Sequence, residues 1–275
     1  MMQKSSRSSK AYMALIFSFL YLPIAVLIFF SFNQSKSRNV FTGFTLHWYK
    51  ELFSNDAIFK ALVVTLVVAA VASVFATILG TAAAVGISGM RKWSRFAVMN
   101  VTYIPVVNPE IVTGVSMLLL FVVMRTVLGA IGIEFEMGIV TLILAHITFN
   151  VPYVILSVSP KIRQMDKNLY EAALDLGCSP FKAFFKVVVP EIMPGIMTGF
   201  LMALTYSIDD FVISYFTSGT AQTLPIAVYS MTRRKVSPEI NALSALMFVV
   251  VLSILLIMNA KDIRGEKHRA KEKRT

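Results

Sequence analysis

Residues Ala61–Ser88 run for 28 positions without a charged side chain. A helix needs about 20 mostly apolar residues to cross the hydrocarbon core of a membrane, so this run can span one with tilt. Five more stretches meet the same test. Ala11–Phe32 has 22 uncharged residues, Gly138–Pro160 has 23 and Ala242–Ala260 has 19. Phe96–Met124 covers 29 residues with one charge, Glu110, and Ile192–Phe216 is apolar except for Asp209 and Asp210. The expected fold is all-α, a polytopic membrane protein with six transmembrane helices. Composition agrees: 56% of residues are hydrophobic, against about 45–50% in soluble domains.

An even number of spans places both termini on one side. With both inside, 18 of the 26 Lys and Arg fall on the cytoplasmic side, in residues 1–10, 89–95, 161–191 and 261–275. That bias predicts an N-in, C-in chain. It also accounts for the net charge of +11 without a nucleic-acid partner. The first span follows Lys4, Arg7 and Lys10 as a signal peptide would. Its apolar part exceeds the usual stretch of about 7–15 residues, and Ser31–Ser35 offers no cleavage site, so it reads as a retained helix.

Several functions lack the residues they need. A single Cys178 and three scattered histidines give no disulfide framework and no metal-ligand spacing. There is no phosphate-binding glycine loop, no paired nucleophile and base, and no cofactor motif, so no catalytic, metal or cofactor residue is expected. A secondary transporter would carry inverted repeats, and none is evident.

Within the second span, Ala72, Ala76, Gly80 and Ala84 recur four apart, as do Ala69, Ser73, Thr77 and Thr81. Such rows let helix backbones approach closely, which predicts a packing helix. The longest inside loop, about residues 161–191, reads as two short amphipathic helices outside the bilayer. Asp166 or Asn168 caps the first, whose apolar stripe is Leu169, Ala172, Ala173 and Leu176. Gly177 ends it, and Ser179-Pro180 opens the second, with Phe181, Phe184, Phe185 and Val188 along one face as far as Pro190. Helices lying flat on lipid would also fit this pattern.

Glu171-Ala172-Ala173, then Gly177, Val187 and Val189-Pro190 resemble the EAA motif of ABC importer permeases, with Val where that family usually has Ile and Leu. The resemblance implies a coupling helix docked on separate cytoplasmic ATPase subunits, with Glu171, Ala172, Ala173, Gly177 and Pro190 in the contact. It further implies a second, similar permease chain, an extracytoplasmic substrate-binding protein and location in the cytoplasmic membrane. By this resemblance residues 61–260 form a five-helix core, residues 1–60 add a helix and an outside loop, and 261–275 form a basic cytoplasmic tail. The stretches HWYKELF (47–53), NPEIVTGVSMLLLF (108–121), AHITFNVPYV (145–154), SIDDFVISYF (207–216) and VSPEINAL (236–243) are similar to the spermidine/putrescine permeases, C-type subunit. The implied substrate is a polyamine. An anion, metal or organophosphonate is the alternative within the same class.

Glu110 is the fifteenth residue of its run, which places it about 21 Å along a continuous helix, near the midplane. An ionisable group there faces the bundle interior or a watery path, and Pro105 and Pro109 can open the helix beside it. Asp209 and Asp210 are adjacent, so on one helix they point about 100° apart and only one faces a given spot. Tyr206 lies one turn before them. Carboxylates with an aromatic ring suit an alkyl polyammonium cation. Trp48 reads equally as an interfacial anchor or as part of the substrate path. His146 and Asn150, one turn apart, read as interhelical hydrogen-bonding residues.

Overall fold

The computed structural model describes residues 7–35, 40–234, 239–253 and 256, and its regular elements are helices. They are α1 (Arg7–Phe30), α2 (His47–Ser54), α3 (Asp56–Ser88), α4 (Lys92–Val107), α5 (Glu110–Ala130) and α6 (Ile139–Gln164). After these come α7 (Lys167–Asp175), α8 (Pro180–Ala183), a π-helical turn (Phe184–Val188), α9 (Val189–Asp209), α10 (Val212–Thr217) and α11 (Leu224–Arg234). A last apolar helix, α12, covers Glu239–Ser253. Five helical stretches are long and apolar enough to cross a membrane: Ser9–Phe30, Asp56–Ser88, Glu110–Ala130, Ile139–Gln164 and Pro180–Asp209. The end of the expected sixth span and the basic tail lie outside the described residues, as do Lys4, Lys36, Arg38 and Lys235 of the charge count.

Two expected spans change shape. The run Phe96–Met124 is two helices, because Pro109 lacks an N–H and holds Asn108 in extended backbone (φ −71°, ψ 139°). Glu110 therefore opens α5 instead of sitting in the middle of a helix. The run Ile192–Phe216 also divides: α9 stops at Asp209, Asp210 is extended (φ −61°, ψ 119°), and α10 starts afresh. At its other end this span begins earlier than expected. The second short helix of the 161–191 loop does not stand alone but passes through the π turn into α9, where the Val189 N–H donates to the Phe184 carbonyl five residues back.

Residues Met1–Phe59 and Val228–Thr275 form one compact unit. In it no side chain of the apolar stretch Ser9–Phe30 is fully buried. The loop that follows α1 is organised by Asn33. Its Nδ2 donates to the Val40 carbonyl at 2.9 Å, its Oδ1 accepts from the Thr42 N–H at 3.0 Å, and its main chain bridges to Phe44.

Residues Lys60–Ala227 form the second unit, built around α6. Ala84 and Ile87 of α3, Val154, Ile155 and Val158 of α6, and Val188, Ile192 and Ala203 from the π turn and α9 make one buried cluster. The small-residue rows of α3 behave as expected: Ala69, Ala72, Ser73, Ala76 and Ala84 are all buried. A methyl group built on Gly80 would come within 2.6 Å of the Val154 Cβ, and one on Gly199 of α9 within 3.2 Å of the Val154 Cα. Val154 is thus held between two helices that approach through glycine.

Gly80→Val is expected to destabilise the protein by about 1–3 kcal/mol, because this contact has no room for added carbons. Gly86, on the same helix, has nothing within 4 Å of an added Cβ, so Gly86→Ala should hold or raise stability by up to about 1 kcal/mol. Thermal unfolding of the two purified variants in detergent, followed by Trp fluorescence, checks the contrast.

Candidate functional site

Both helix interruptions border one cavity of about 460 Å³. The first break contributes Pro105, Asn108, Pro109 and Glu110 to its lining, and the second contributes Asp209 and Asp210. Tyr206 of α9 and Tyr153 of α6 complete it, with ring centroids 4.6 Å apart at 49°. With α9 broken at Asp210, both adjacent aspartates border this space. No Lys or Arg lines the cavity among the described residues.

The two aspartates nevertheless differ. Asp210 is tied into the protein: Oδ1 accepts from the Ile213 N–H at 3.2 Å, and Oδ2 accepts from the Ser214 N–H. These are first-turn donors of α10, which have no partner within their own helix. The His146 Nε2 lies 3.5 Å from the Asp210 Oδ2 and 3.0 Å from the Ser214 Oγ. With the proton on Nε2 the bonds run one way. Asn150 Nδ2 donates to the Ser207 Oγ at 3.0 Å, the Ser207 hydroxyl donates to the His146 Nδ1 at 2.9 Å, and Nε2–H points to Ser214 and Asp210. His146 and Asn150 therefore bond between helices, as their spacing suggests. Asp209, by contrast, is exposed to the cavity, as is Glu110.

Trp48 has a different place. It is 4% exposed, and its Nε1–H donates to the Asn33 carbonyl at 2.7 Å, which makes it a brace for the loop after α1. It is not among the cavity's lining residues. Tyr153, Ser207 and Ser214 were not anticipated from the sequence. Tyr153 lies seven residues after His146 on α6, two turns along the same face, and that spacing is a readable signal. The serines bond across 61 and 68 residues, and no local pattern reveals such pairs.

A second surface gathers the residues of the 161–191 loop. Asp166 caps α7 by accepting from the Asn168 N–H at 3.0 Å. The helix ends with the Gly177 N–H on the Leu174 carbonyl and the Cys178 N–H on the Ala173 carbonyl, with Gly177 at φ +85°. Of the expected apolar stripe, Ala173 turns inward while Leu169 and Ala172 are exposed and Leu176 is 86% exposed. Glu171 is exposed, and so is Phe181 at 74%. A side chain at Gly177 would meet nothing within 4 Å, so the position needs glycine for its backbone angle, not for crowding within the chain. Pro190 lies in the first turn of α9 and is half-buried. Among the described residues, no group of three His, Cys, Asp or Glu is placed to hold a metal ion.

A family model for the inner membrane component of binding-protein-dependent transport systems matches residues 76–261, and the chain belongs to that family. It is a multi-pass permease subunit of an ABC transporter and not itself an enzyme. The putrescine transport system permease PotI of Escherichia coli K12 is 42% identical over 260 residues, covering 93% of this chain and 91% of that protein. The spermidine/putrescine permease PotC of Haemophilus influenzae is 34% identical over 248 residues, covering 90% and 93%. Among solved structures, a bacterial transporter that imports the acidic polysaccharide alginate has a chain that superimposes with a TM-score of 0.71 at 19% identity, covering 94% of each. That likeness concerns the fold.

Asp210→Ala and His146→Ala should each lower thermal stability by about 1–3 kcal/mol, since each leaves buried partners unmet. Asp209→Asn should leave stability unchanged. Unfolding curves of the purified proteins at matched detergent concentration check both statements.

Proposed function

We propose that this chain is the permease subunit of a polyamine importer in the cytoplasmic membrane, with six transmembrane helices and both termini inside. The observation that carries the substrate is the cavity that joins Glu110, Asp209 and Asp210 to Tyr153 and Tyr206. An alkyl polyammonium ion sheds water as it enters the membrane. Fixed carboxylates replace that hydration, and the tyrosine faces attract the ammonium groups. The same lining repels anions, which speaks against an anionic solute. Asp210 is already engaged by two N–H groups and His146, so Glu110 and Asp209 are left for the ligand. Two carboxylates exposed to the cavity suit the two ends of a diamine such as putrescine. The named functions of the relatives at 42% and 34% identity support the substrate class.

In this reading residues 61–260 are the permease core, paired with a second, similar permease chain. An extracytoplasmic binding protein delivers substrate. The exposed face of α7 and α8, with Glu171, Ala172, Gly177, Leu176 and Phe181, enters a cleft on a cytoplasmic ATPase subunit. ATP-driven closure of the ATPase pair moves that face, and the bundle alternates between inward and outward access.

Uptake of radiolabelled putrescine, in cells lacking other polyamine carriers, tests the substrate. Glu110→Gln and Asp209→Asn should each reduce uptake about tenfold or more, with membrane levels unchanged, because each removes a charged partner of an ammonium group. Normal uptake in both variants would remove the polyamine assignment. The coupling face has its own test: Leu176→Asp with Phe181→Asp should abolish co-purification of the ATPase while the chain still inserts. Retention of the ATPase by that double variant would assign the exposed face elsewhere.

A further inference from the structure

We propose that a cavity at the start of α4 binds the headgroup of an anionic phospholipid. This cavity, of about 470 Å³, is separate from the acidic one, and its walls include Lys92 and Arg95 of α4 and Arg163 from the last turn of α6. No acid lines it, and among the described residues none of the three cations forms an ion pair. Arg95 is half-buried, so an unneutralised guanidinium there is held partly out of water, a cost that an anion would offset. Asn100 and Tyr103 add polar groups to the same wall. The Asn100 Nδ2 donates one hydrogen to the Phe96 carbonyl at 3.0 Å, which leaves its second N–H, its Oδ1 and the tyrosine hydroxyl for a phosphate or hydroxylated headgroup.

The second observation is what adjoins it. A cavity of about 320 Å³ shares Lys92 and Phe96 with the basic one and is lined further by Trp93. Trp93 is 85% exposed and Phe96 is also exposed, so an apolar slot opens directly beside three cations. A phosphate ester joined to an acyl chain has the matching sequence of chemistry: anionic head, then hydrocarbon. A free phosphate would fill only the basic half, and an acidic protein surface would not need the apolar one. The chain's place in a membrane supplies the ligand at high local concentration. Basic pockets between transmembrane helices on the cytoplasmic side bind such headgroups, so the inference rests on the orientation proposed above.

The test uses the full transporter assembly in nanodiscs of phosphatidylcholine containing about one-fifth phosphatidylglycerol, followed by native mass spectrometry of retained lipid. Phosphatidylglycerol should be retained preferentially, and Arg95→Gln or Arg163→Gln should each cut its retention about fivefold. Arg95→Lys should restore most of it, and Arg125→Gln, at the far end of α5, should have no effect. Size-exclusion profiles and ATPase co-purification measured on the same samples separate a lipid effect from misfolding. Equal retention of the two lipids, or unchanged retention in both glutamine variants, would overturn the proposal. So would displacement of the lipid by millimolar inorganic phosphate, which would mark an anion site indifferent to the acyl chain. Loss of a bound protein with no change in lipid would overturn it by making the patch a protein interface. None of these outcomes depends on which solute the permease carries.

Discussion

The contact on which the second unit depends is the approach of α3 and α9 to α6 at Val154. Lipid gives helices no hydrophobic reason to associate, so the energy has to come from dispersion at short range, and that requires small residues. Gly80 and Gly199 supply it from opposite sides, and Gly195 repeats the arrangement one turn away, against the Ser157 carbonyl and the Lys161 stem. With α6 and α9 fixed to each other, His146 and Asn150 come within reach of Ser207. The polar cluster around Asp210 follows from the packing and does not create it.

The two helix breaks obey a second constraint, that backbone groups freed inside a membrane have to find partners within the protein or face a cavity. At Asp210 the partner is the residue's own carboxylate, which takes two N–H groups of α10. At Asn108–Pro109 the proline has no N–H to satisfy, and the Asn108 N–H still reaches the Ile104 carbonyl. Both breaks border the same cavity. The irregular backbone and the carboxylates thus share one location, because polar lining is what makes an interruption tolerable there.

Much of this was legible in the sequence where the signal is local. The helical class, the α3 packing rows, the cap at Asp166 and the turn at Gly177 each depend on a few neighbouring residues, and each is found where expected. What the sequence concealed is where an apolar run stops being one helix. Ile192–Phe216 carries no proline or glycine near Asp209, so hydropathy reads straight through the break. The break depends on Asp210 capping a new helix and on His146, which is 64 residues away in the chain. Trp48 was ambiguous for a similar reason. Only its bond to Asn33, 15 residues earlier, shows that the indole N–H is already used.

The continuous stretch Pro180–Asp209 links the exposed loop to the cavity. At about 1.5 Å per residue its 30 residues extend some 45 Å, from the exposed Phe181 at one end to the acids of the cavity at the other. Its weak segment is the π turn with Pro190 and Pro194, where regular hydrogen bonds are displaced or missing. That segment is not free to bend independently, because Val188 and Ile192 are buried against α6 and α3, and Phe184 and Tyr170 of α7 pack on the same cluster. Beyond Pro194 the helix is pressed to α6 through Gly195 and Gly199. A displacement of the α7–α8 face therefore cannot be absorbed at the π turn without opening the buried cluster, and the lower-energy response is for α6 and α9 to move together. Such a movement carries Tyr153 of α6 and Tyr206 of α9, whose rings lie 4.6 Å apart, as a pair on the wall of the cavity.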